Sequence, residues 1–282
     1  MSKLETRFPE KRILITGATS GLGEALACQL AKRGWRVAVT GLQLAAVKST
    51  AKKVDQLGGT GLGLLLDVRE KEHWKAAHEK LQKTWGGIDI LVNNAGVADA
   101  NEFDQMDDAA WDSLMSINLD GVINGCRTYS PDMRKNQSGY ILNVASIAGL
   151  LCMPEMANYN VSKAGVVGLS ETLCAELSAC NVGVTVLCPA GFASNLAEKA
   201  ARAGRAIDKS AIGRTVKAVM DKGKHTSETV ALFAIKEMEN GNLYSIPQIE
   251  YRAFWAFKRL MPNTFYKTIG WLYRNKLGPF SS

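Results

Sequence analysis

The sequence has few of the residues that build metal centres and disulfide networks. Its 282 residues include three histidines and six cysteines, and none of them falls at a CxxC or Cys/His spacing. A metal site and a disulfide framework are therefore not expected. No apolar run approaches the roughly 20 residues that span a bilayer. The charged start MSKLETRFPEKR also lacks the apolar stretch of a signal peptide, so we expect a cytoplasmic protein.

Positive charge is concentrated in two late segments of the chain. Residues 195–224 carry eight lysines and arginines against three acids, and residues 249–282 carry six against one. Each segment thus has a net charge of +5, which leaves −3 of the total of +7 for the remaining residues. No nucleic-acid recognition module accompanies this charge, so nucleic-acid binding is not expected.

Short runs of branched apolar residues alternate with longer segments of helical periodicity. The predicted strands are 12–16, 36–40, 63–67, 88–96, 140–146 and 182–189, with a further short strand at 242–247. Helices between successive strands imply parallel pairing, with helices on both faces of the sheet. The pattern therefore predicts one α/β domain over residues 1–248, followed by a helical extension over 249–282.

Glycines in the first strand-to-helix turn indicate a phosphate site. The turn reads TGATSGLG over residues 16–23. Glycine lets the backbone approach a diphosphate closely, and the N-terminus of the next helix favours its negative charge. Glycine-rich turns are common between strands and helices. This one indicates a phosphate site mainly because it lies in the first strand-to-helix unit.

The stretch YNVSK, residues 159–163, contains a tyrosine and a lysine suited to proton transfer. It lies in a segment predicted to be helical, 156–180, and the spacing of four residues places Tyr159 and Lys163 on one helix face. Free tyrosine has a pKa of about 10. A neighbouring ammonium stabilises the phenolate and lowers that pKa, so the pair suits exchange of a proton with a substrate.

Together with NNAG at 93–96, these motifs resemble those of the short-chain dehydrogenase/reductase family, in the same order and over about residues 10–195. The resemblance implies a Rossmann-type doubly wound parallel sheet and an oxidoreductase that uses NAD(H) or NADP(H). It also implies four catalytic residues. Tyr159 would be the general acid/base and Lys163 its charge partner. Ser146 would polarise the substrate oxygen, and Asn118 would kink a helix and hold a water that relays protons.

The resemblance also implies the residues that bind the cofactor. The glycine turn would hold the pyrophosphate and ribose, the end of the third strand the adenine, and residues near Tyr159 and Lys163 the nicotinamide. In this sequence the matching positions are Gly17, Thr19, Ser20, Gly21, Leu22, Gly23, Asp67, Val68, Asn94, Ala95, Gly96, Pro189, Phe192 and Ser194. The stretch PAGFAS departs from the family's pattern, because Ala190 replaces a glycine and Ser194 a threonine.

The second strand ends without the residues that distinguish the two nicotinamide cofactors. An acid there accepts a hydrogen bond from the 2′-hydroxyl of NAD and repels the 2′-phosphate of NADP. Gly41 occupies that position, and Leu42 occupies the next one, where NADP enzymes of the family often have arginine. The sequence thus removes an obstacle to NADP(H) without supplying an attraction, which favours NADP(H) slightly.

The substrate pocket is expected between Ser146 and Tyr159, where Leu151, Met153 and Met156 would form an apolar wall. Residues 192–225 would form a basic lid over it. This combination favours a bulky lipophilic alcohol or ketone. A 3-oxoacyl thioester carried by a protein or by coenzyme A is the alternative, and a non-catalytic scaffold is a third hypothesis.

The extension over residues 249–282 mixes aromatic and basic residues, including FWAFKR at 254–259. Such a segment can pack on its own domain or on a sister subunit, or lie on an anionic membrane surface. Packing is the favoured interpretation. We also expect a homodimer or homotetramer.

Overall fold

A computed structural model describes residues 3–193, 211–222 and 225–281. Within these residues seven parallel strands form one sheet with the order β3–β2–β1–β4–β5–β6–β7. The strands are β1 (Arg12–Ile15), β2 (Arg36–Gly41), β3 (Thr60–Leu65), β4 (Ile90–Asn93), β5 (Gly139–Val144), β6 (Val182–Leu187) and β7 (Tyr244–Ser245). The predicted doubly wound α/β fold is confirmed.

Helices cover both faces of this sheet. They are α1 (Lys3–Arg7), α2 (Gly21–Ala31), α3 (Leu44–Gln56), α4 (Lys71–Trp85), α5 (Asp108–Met115), α6 (Gly121–Lys135), α7 (Ile147–Leu151), α8 (Ala157–Ser178), α9 (Ala211–Lys222), α10 (Ser227–Asn240), α11 (Ile249–Leu260) and α12 (Pro262–Arg274). A π-helical turn, Ser116–Asp120, joins α5 to α6, and 3₁₀ turns cover Phe103–Gln105 and Gly278–Phe280. None of the described helices is both long and apolar enough to cross a membrane.

The core consists of two layers because successive residues of a strand point to opposite faces of the sheet. Ile13 and Ile15 of β1 are fully buried in the layer that contains α2, α3 and α10. Leu14, between them, is fully buried in the layer that contains α4, α6 and α8. Both faces of the sheet are therefore apolar, as the continuous apolar strand runs predicted.

Several elements differ from their predicted bounds; the fourth strand, for example, was predicted at 88–96 and is limited to Ile90–Asn93. The third strand was predicted at 63–67, but β3 runs from Thr60 to Leu65. Two of its six residues are glycines, which are depleted in strands, so the propensity pattern hides its first half. The helical region predicted over 107–135 is interrupted by the π-helical turn at Ser116–Asp120.

The C-terminal extension is helical, as predicted, and packs on the domain. The ring of Trp255 in α11 lies 4.6 Å from that of Tyr244 in β7, and Phe265 in α12 is buried. Lys258 donates to the carbonyl oxygen of Leu150 at 2.6 Å, and Tyr266 donates to that of Leu151 at 3.0 Å. The boundary of the domain at residue 248 stays a prediction.

Candidate active site

A cleft of about 850 Å³ opens at the carboxyl ends of the strands, where the strand order reverses between β1 and β4. Ligands of doubly wound sheets bind at such a switch point. All but two of the residues proposed for the cofactor line this cleft. The two exceptions are Gly23 and Ser194. Gly23 lies in the first turn of α2 and faces Asn94 and the backbone of Gly17, and Ser194 falls outside the described residues.

The glycine turn and NNAG are joined by hydrogen bonds. The Thr16 hydroxyl accepts from the backbone N–H groups of Asn94 and Ala95 at 2.8 and 2.9 Å, and the Asn94 amide donates to the Thr16 carbonyl oxygen at 2.8 Å. Gly17 has a φ of +61°, and a Cβ on Gly23 would lie 2.5 Å from Asn94 Nδ2. Side chains are thus excluded from both positions, and the backbone at the start of α2 stays accessible.

Ser20 provides an observation that tests the fit of a phosphate-containing cofactor. Its hydroxyl is buried at the N-terminus of α2 and has no hydrogen-bond partner among the described residues. A buried hydroxyl without a partner costs free energy, so such a group indicates a missing ligand atom. The residues of the glycine turn therefore fit a diphosphate.

Asp67, proposed to meet the adenine, is held by an arginine that sequence reasoning missed. Both of its carboxylate oxygens accept from Arg69, at 2.5 to 3.1 Å, and Arg69 also lines the cleft. The hydrogen bonds from Arg69 lower the pKa of Asp67. Each carboxylate oxygen has a second lone pair, so Asp67 can still accept from another donor.

The end of β2 has neither an acid nor a base. Gly41 and Leu42 both line the cleft, and the Leu42 side chain is 70% exposed. The neighbouring lining residues Gln43 and Ala46 are uncharged as well. Among the described lining residues Asp67 is the sole acid, and it is already paired with Arg69.

The four proposed catalytic residues come together at the inner end of the cleft. Tyr159 and Lys163 both line it from α8, with the Lys163 ammonium 5.8 Å from the centre of the Tyr159 ring. Ser146 follows β5, and its hydroxyl lies near enough to the Tyr159 phenol to lower the pKa of that phenol. Asn118 lies in the π-helical turn and is fully buried. A Cβ on Gly96 would lie 3.2 Å from Asn118 Oδ1 and 3.4 Å from Lys163 Nζ.

Hydrogen bonds to the backbone hold the side chains of Lys163 and Asn118 in place. The Lys163 ammonium donates to the Val144 carbonyl oxygen at 2.9 Å. Asn118 accepts from the backbone N–H of Val97 and donates to its carbonyl oxygen, both at 2.9 Å. Asn118 also donates at 3.3 Å to Ser162, a residue that the sequence motifs did not single out. The interruption of helix geometry at Asn118 agrees with the kink that the family resemblance implied.

Burial dominates the protonation behaviour of the tyrosine and the lysine. It raises the pKa of Tyr159, and the hydrogen bond from Ser146 opposes this shift. Burial also lowers the pKa of Lys163 to about 8. The sequence led us to expect that Lys163 lowers the pKa of Tyr159. In the protein without its cofactor the pKa of Tyr159 is instead raised, because desolvation disfavours the phenolate more than the neighbouring groups stabilise it.

The three residues proposed for the substrate wall do not line the cleft. Met156 is buried in an apolar cluster that includes Tyr159 and Phe280, and Met153 packs against that cluster. Leu151 is also buried, and its carbonyl oxygen accepts from Tyr266. The C-terminal extension therefore covers the segment that joins Ser146 to Tyr159. Most of the proposed lid at 192–225 lies outside the described residues.

The fold and this arrangement are typical of a nicotinamide-dependent oxidoreductase, and comparison with known proteins defines the family. The sequence profile of the family described as "short chain dehydrogenase" matches residues 11–204. This chain belongs to that family.

Individual relatives agree with this assignment. The 3-oxoacyl-[acyl-carrier-protein] reductase FabG of Thermotoga maritima is 33% identical over 210 residues, which cover 74% of this chain and 85% of that protein. The probable oxidoreductase EphD of Mycobacterium bovis is 34% identical over 190 residues, 67% of this chain but only 32% of EphD. A short chain dehydrogenase/reductase from Burkholderia phymatum, solved in complex with NAD, is 28% identical. It superposes with a TM-score of 0.81 over 88% of this chain and 92% of its own.

Replacement of Tyr159 by phenylalanine removes the proposed proton donor and leaves the ring in place. We expect kcat to fall by roughly 10²- to 10⁴-fold, the usual contribution of a general acid/base, with little change in cofactor affinity. Tyr129→Phe is a matched control, because its buried hydroxyl has no hydrogen-bond partner among the described residues. Steady-state kinetics and fluorescence titration with the cofactor measure both quantities. Undiminished turnover by Tyr159→Phe contradicts the assignment.

The lowered pKa of Lys163 predicts a pH-dependent stability of the cofactor-free protein. The folded pKa of about 8 lies below the usual lysine value of 10.5, which holds in the unfolded chain. Between these values the unfolded chain holds a proton that the folded protein has lost, so stability rises with pH. Relative to Lys163→Met, the free energy of unfolding should rise by roughly 3 kcal/mol across this interval and stay level below pH 8. Urea denaturation at several pH values measures it, and a constant difference contradicts the shift.

Proposed function

We propose that the chain is an NAD(P)-dependent oxidoreductase that interconverts a secondary alcohol and a ketone on a bulky lipophilic substrate. The observation that carries the proposal is the position of Tyr159 in the cleft, with the Lys163 ammonium 5.8 Å from the centre of its ring and Ser146 near its hydroxyl. A phenol there can give a proton to a substrate oxygen or take one from it.

The cofactor supplies the hydride that this chemistry requires. The glycine turn, with the buried hydroxyl of Ser20, would hold its diphosphate, and Asp67 its adenine. Tyr159 and Lys163 would lie beside the nicotinamide, together with Phe192 and with Ser194 outside the described residues. In this role Ser146 polarises the substrate oxygen, and Asn118 keeps the backbone at Val97 in place next to the reacting groups.

The cluster around Tyr159 supports a lipophilic substrate. Apart from Tyr159 itself its buried members are all apolar: Ala98, Ala100, Leu114, Ala148, Met156, Ile212 and Phe280. An apolar environment favours a substrate that loses little hydration on binding.

Reduction of 3-oxoacyl thioesters is a second candidate function. It is favoured by the similarity to the Thermotoga maritima FabG, which covers 85% of that protein. The basic segment at 195–224 could receive an acidic carrier. A non-catalytic scaffold is the least supported alternative, since all four catalytic positions carry the expected residue types. A homodimer or homotetramer is part of the proposal.

A substrate panel separates the two catalytic candidates. Bulky free ketones should give a higher kcat/KM than 3-oxoacyl thioesters of coenzyme A or a carrier protein, measured by absorbance of the nicotinamide. The order should hold when ionic strength is raised, because the proposed contacts are apolar. If thioesters are preferred, and the preference weakens with salt, the second candidate replaces the first.

NADP(H) is the proposed preference, because Gly41 and Leu42 supply no acid and the one acid among the described cleft residues, Asp67, is paired with Arg69. Leu42→Arg should strengthen this preference through a charge-assisted contact with the 2′-phosphate. We expect the ratio of kcat/KM for NADPH over NADH to rise roughly tenfold, equivalent to about 1.4 kcal/mol. Leu232→Arg, at an exposed leucine of α10, controls for added charge. If the ratio is unchanged in Leu42→Arg, the 2′-phosphate of the cofactor does not bind next to residue 42.

A further inference from the structure

The two helices of the C-terminal extension have an inner and an outer side. The inner side packs on the domain through Trp255, Phe265, Lys258 and Tyr266, as described above. We call the other side the outer tail surface, which comprises the exposed residues of α11 and α12. No described residue covers it.

An apolar stripe runs along the outer tail surface of α11. Ile249, Ala253, Ala256 and Leu260 recur at intervals of three and four residues, which places them on one side of the helix. All four are exposed. Ile249 at 77% and Leu260 at 82% are the most exposed large hydrophobic side chains of the described chain.

Further exposed hydrophobic residues continue into α12 and beyond. Of the thirteen large hydrophobic side chains that are exposed in the described residues, seven lie between positions 249 and 277. They are Ile249, Phe254, Leu260, Met261, Tyr266, Trp271 and Leu277, of which Tyr266 also contacts the domain through its hydroxyl. This concentration in one short segment distinguishes a contact surface from the scattered exposed hydrophobic residues of an ordinary monomer.

Cations accompany the apolar residues. Arg252 and Arg259 are seven residues apart and lie beside the stripe on α11, and Lys267 and Arg274 have the same spacing on α12. All four side chains are exposed, and none forms an ion pair with a described residue. Glu250 is the single acid between residues 249 and 282. Lys258 and Arg252 donate to the Leu150 and Ile246 carbonyl oxygens of the domain, so the exposed Arg259, Lys267 and Arg274 are the cations that face a partner.

The positive charge of the segment distinguishes between two partners that could cover the apolar stripe, a second copy of the chain and an anionic bilayer. In a two-fold symmetric dimer the same patch meets itself, so two segments of +5 would face each other and repel. An anionic bilayer offers hydrocarbon for the stripe and negative charge for the cations at its border. Trp271, 54% exposed, is of the type that concentrates at the membrane interface.

We propose that the outer tail surface docks on an anionic phospholipid bilayer, with α11 and α12 lying in the plane of the interface. A helix of 12 residues is about 18 Å long, too short to span a bilayer but long enough to lie on it. The inner side of the same helices covers the segment between Ser146 and Tyr159. The docked enzyme thus holds its active site about one helix diameter, roughly 10 Å, from the lipid.

Sedimentation of the full-length protein with vesicles tests the proposal. The probes are vesicles of phosphatidylcholine alone and of phosphatidylcholine mixed with phosphatidylserine. We expect binding to the mixed vesicles and little binding to the neutral ones. The double substitution Ile249→Glu and Leu260→Glu should lower the partition coefficient by at least roughly tenfold. Phe103→Glu, at a side chain 71% exposed outside the extension, is the matched control and should bind like the wild type.

The cations are tested separately. Lys267→Glu with Arg274→Glu should remove most of the salt-sensitive part of the binding. Lys80→Glu with Lys83→Glu makes the same charge change at exposed lysines of α4 and should not. Circular dichroism and turnover of a water-soluble ketone show that each variant is folded. Because turnover is measured without vesicles, loss of docking and loss of the proposed catalytic function are distinguished.

Three outcomes overturn the proposal. The first is a wild-type protein that does not sediment with anionic vesicles. The second is a Phe103→Glu variant that loses binding to the same extent as the stripe variant. In the third, the stripe variant changes the oligomeric mass measured by light scattering and leaves vesicle binding unchanged. That result assigns the outer tail surface to a second copy of the chain.

Discussion

The site depends on the contact between the ends of β1 and β4, the two neighbouring strands at which the strand order reverses. The Thr16 hydroxyl accepts two backbone hydrogen bonds from NNAG, while Thr16 N–H donates to Val92 at 3.0 Å. These bonds hold the glycine turn and NNAG as opposite walls of one cleft. The remaining groups of the site are positioned relative to this junction, because β5 pairs with β4 in the sheet and α8 follows β5 in the chain.

The fold could be predicted from the sequence because its signals are local. Alternating strands and helices, with helices long enough for crossover connections, allow few topologies other than a doubly wound parallel sheet. The boundaries of elements were predicted less well where tertiary packing, and not the intrinsic propensity of the residues, determines the secondary structure. Gly61 and Gly63 weaken the signal of β3, and the π-helical turn at Asn118 leaves no mark in the helical periodicity around it.

The missed parts of the site are those that depend on long-range or geometric contacts. Arg69 lies two residues after Asp67, and only the backbone turn between them brings the guanidinium onto the carboxylate. Ser162 was hidden inside YNVSK, although it links Asn118 to α8. Phe280 shares a cluster with Tyr159 across more than a hundred residues of chain. Sequence periodicity does not indicate which distant residues contact each other. The extension could therefore be predicted to pack on the domain, but its contact with the Tyr159 cluster could not.

Burial explains why Tyr159 and Lys163 belong together. The enclosure that raises the pKa of the phenol is the same one that lowers the pKa of the ammonium to about 8, because desolvation favours the neutral form of each group. Ser146 opposes the shift in the pKa of the phenol, and the Lys163 ammonium donates to the Val144 carbonyl oxygen. In such surroundings charges interact more strongly than in water. A positive group placed beside Tyr159 therefore stabilises its phenolate far more than the same group would in solvent, and burial makes the proton affinity of Tyr159 sensitive to the occupant of the cleft.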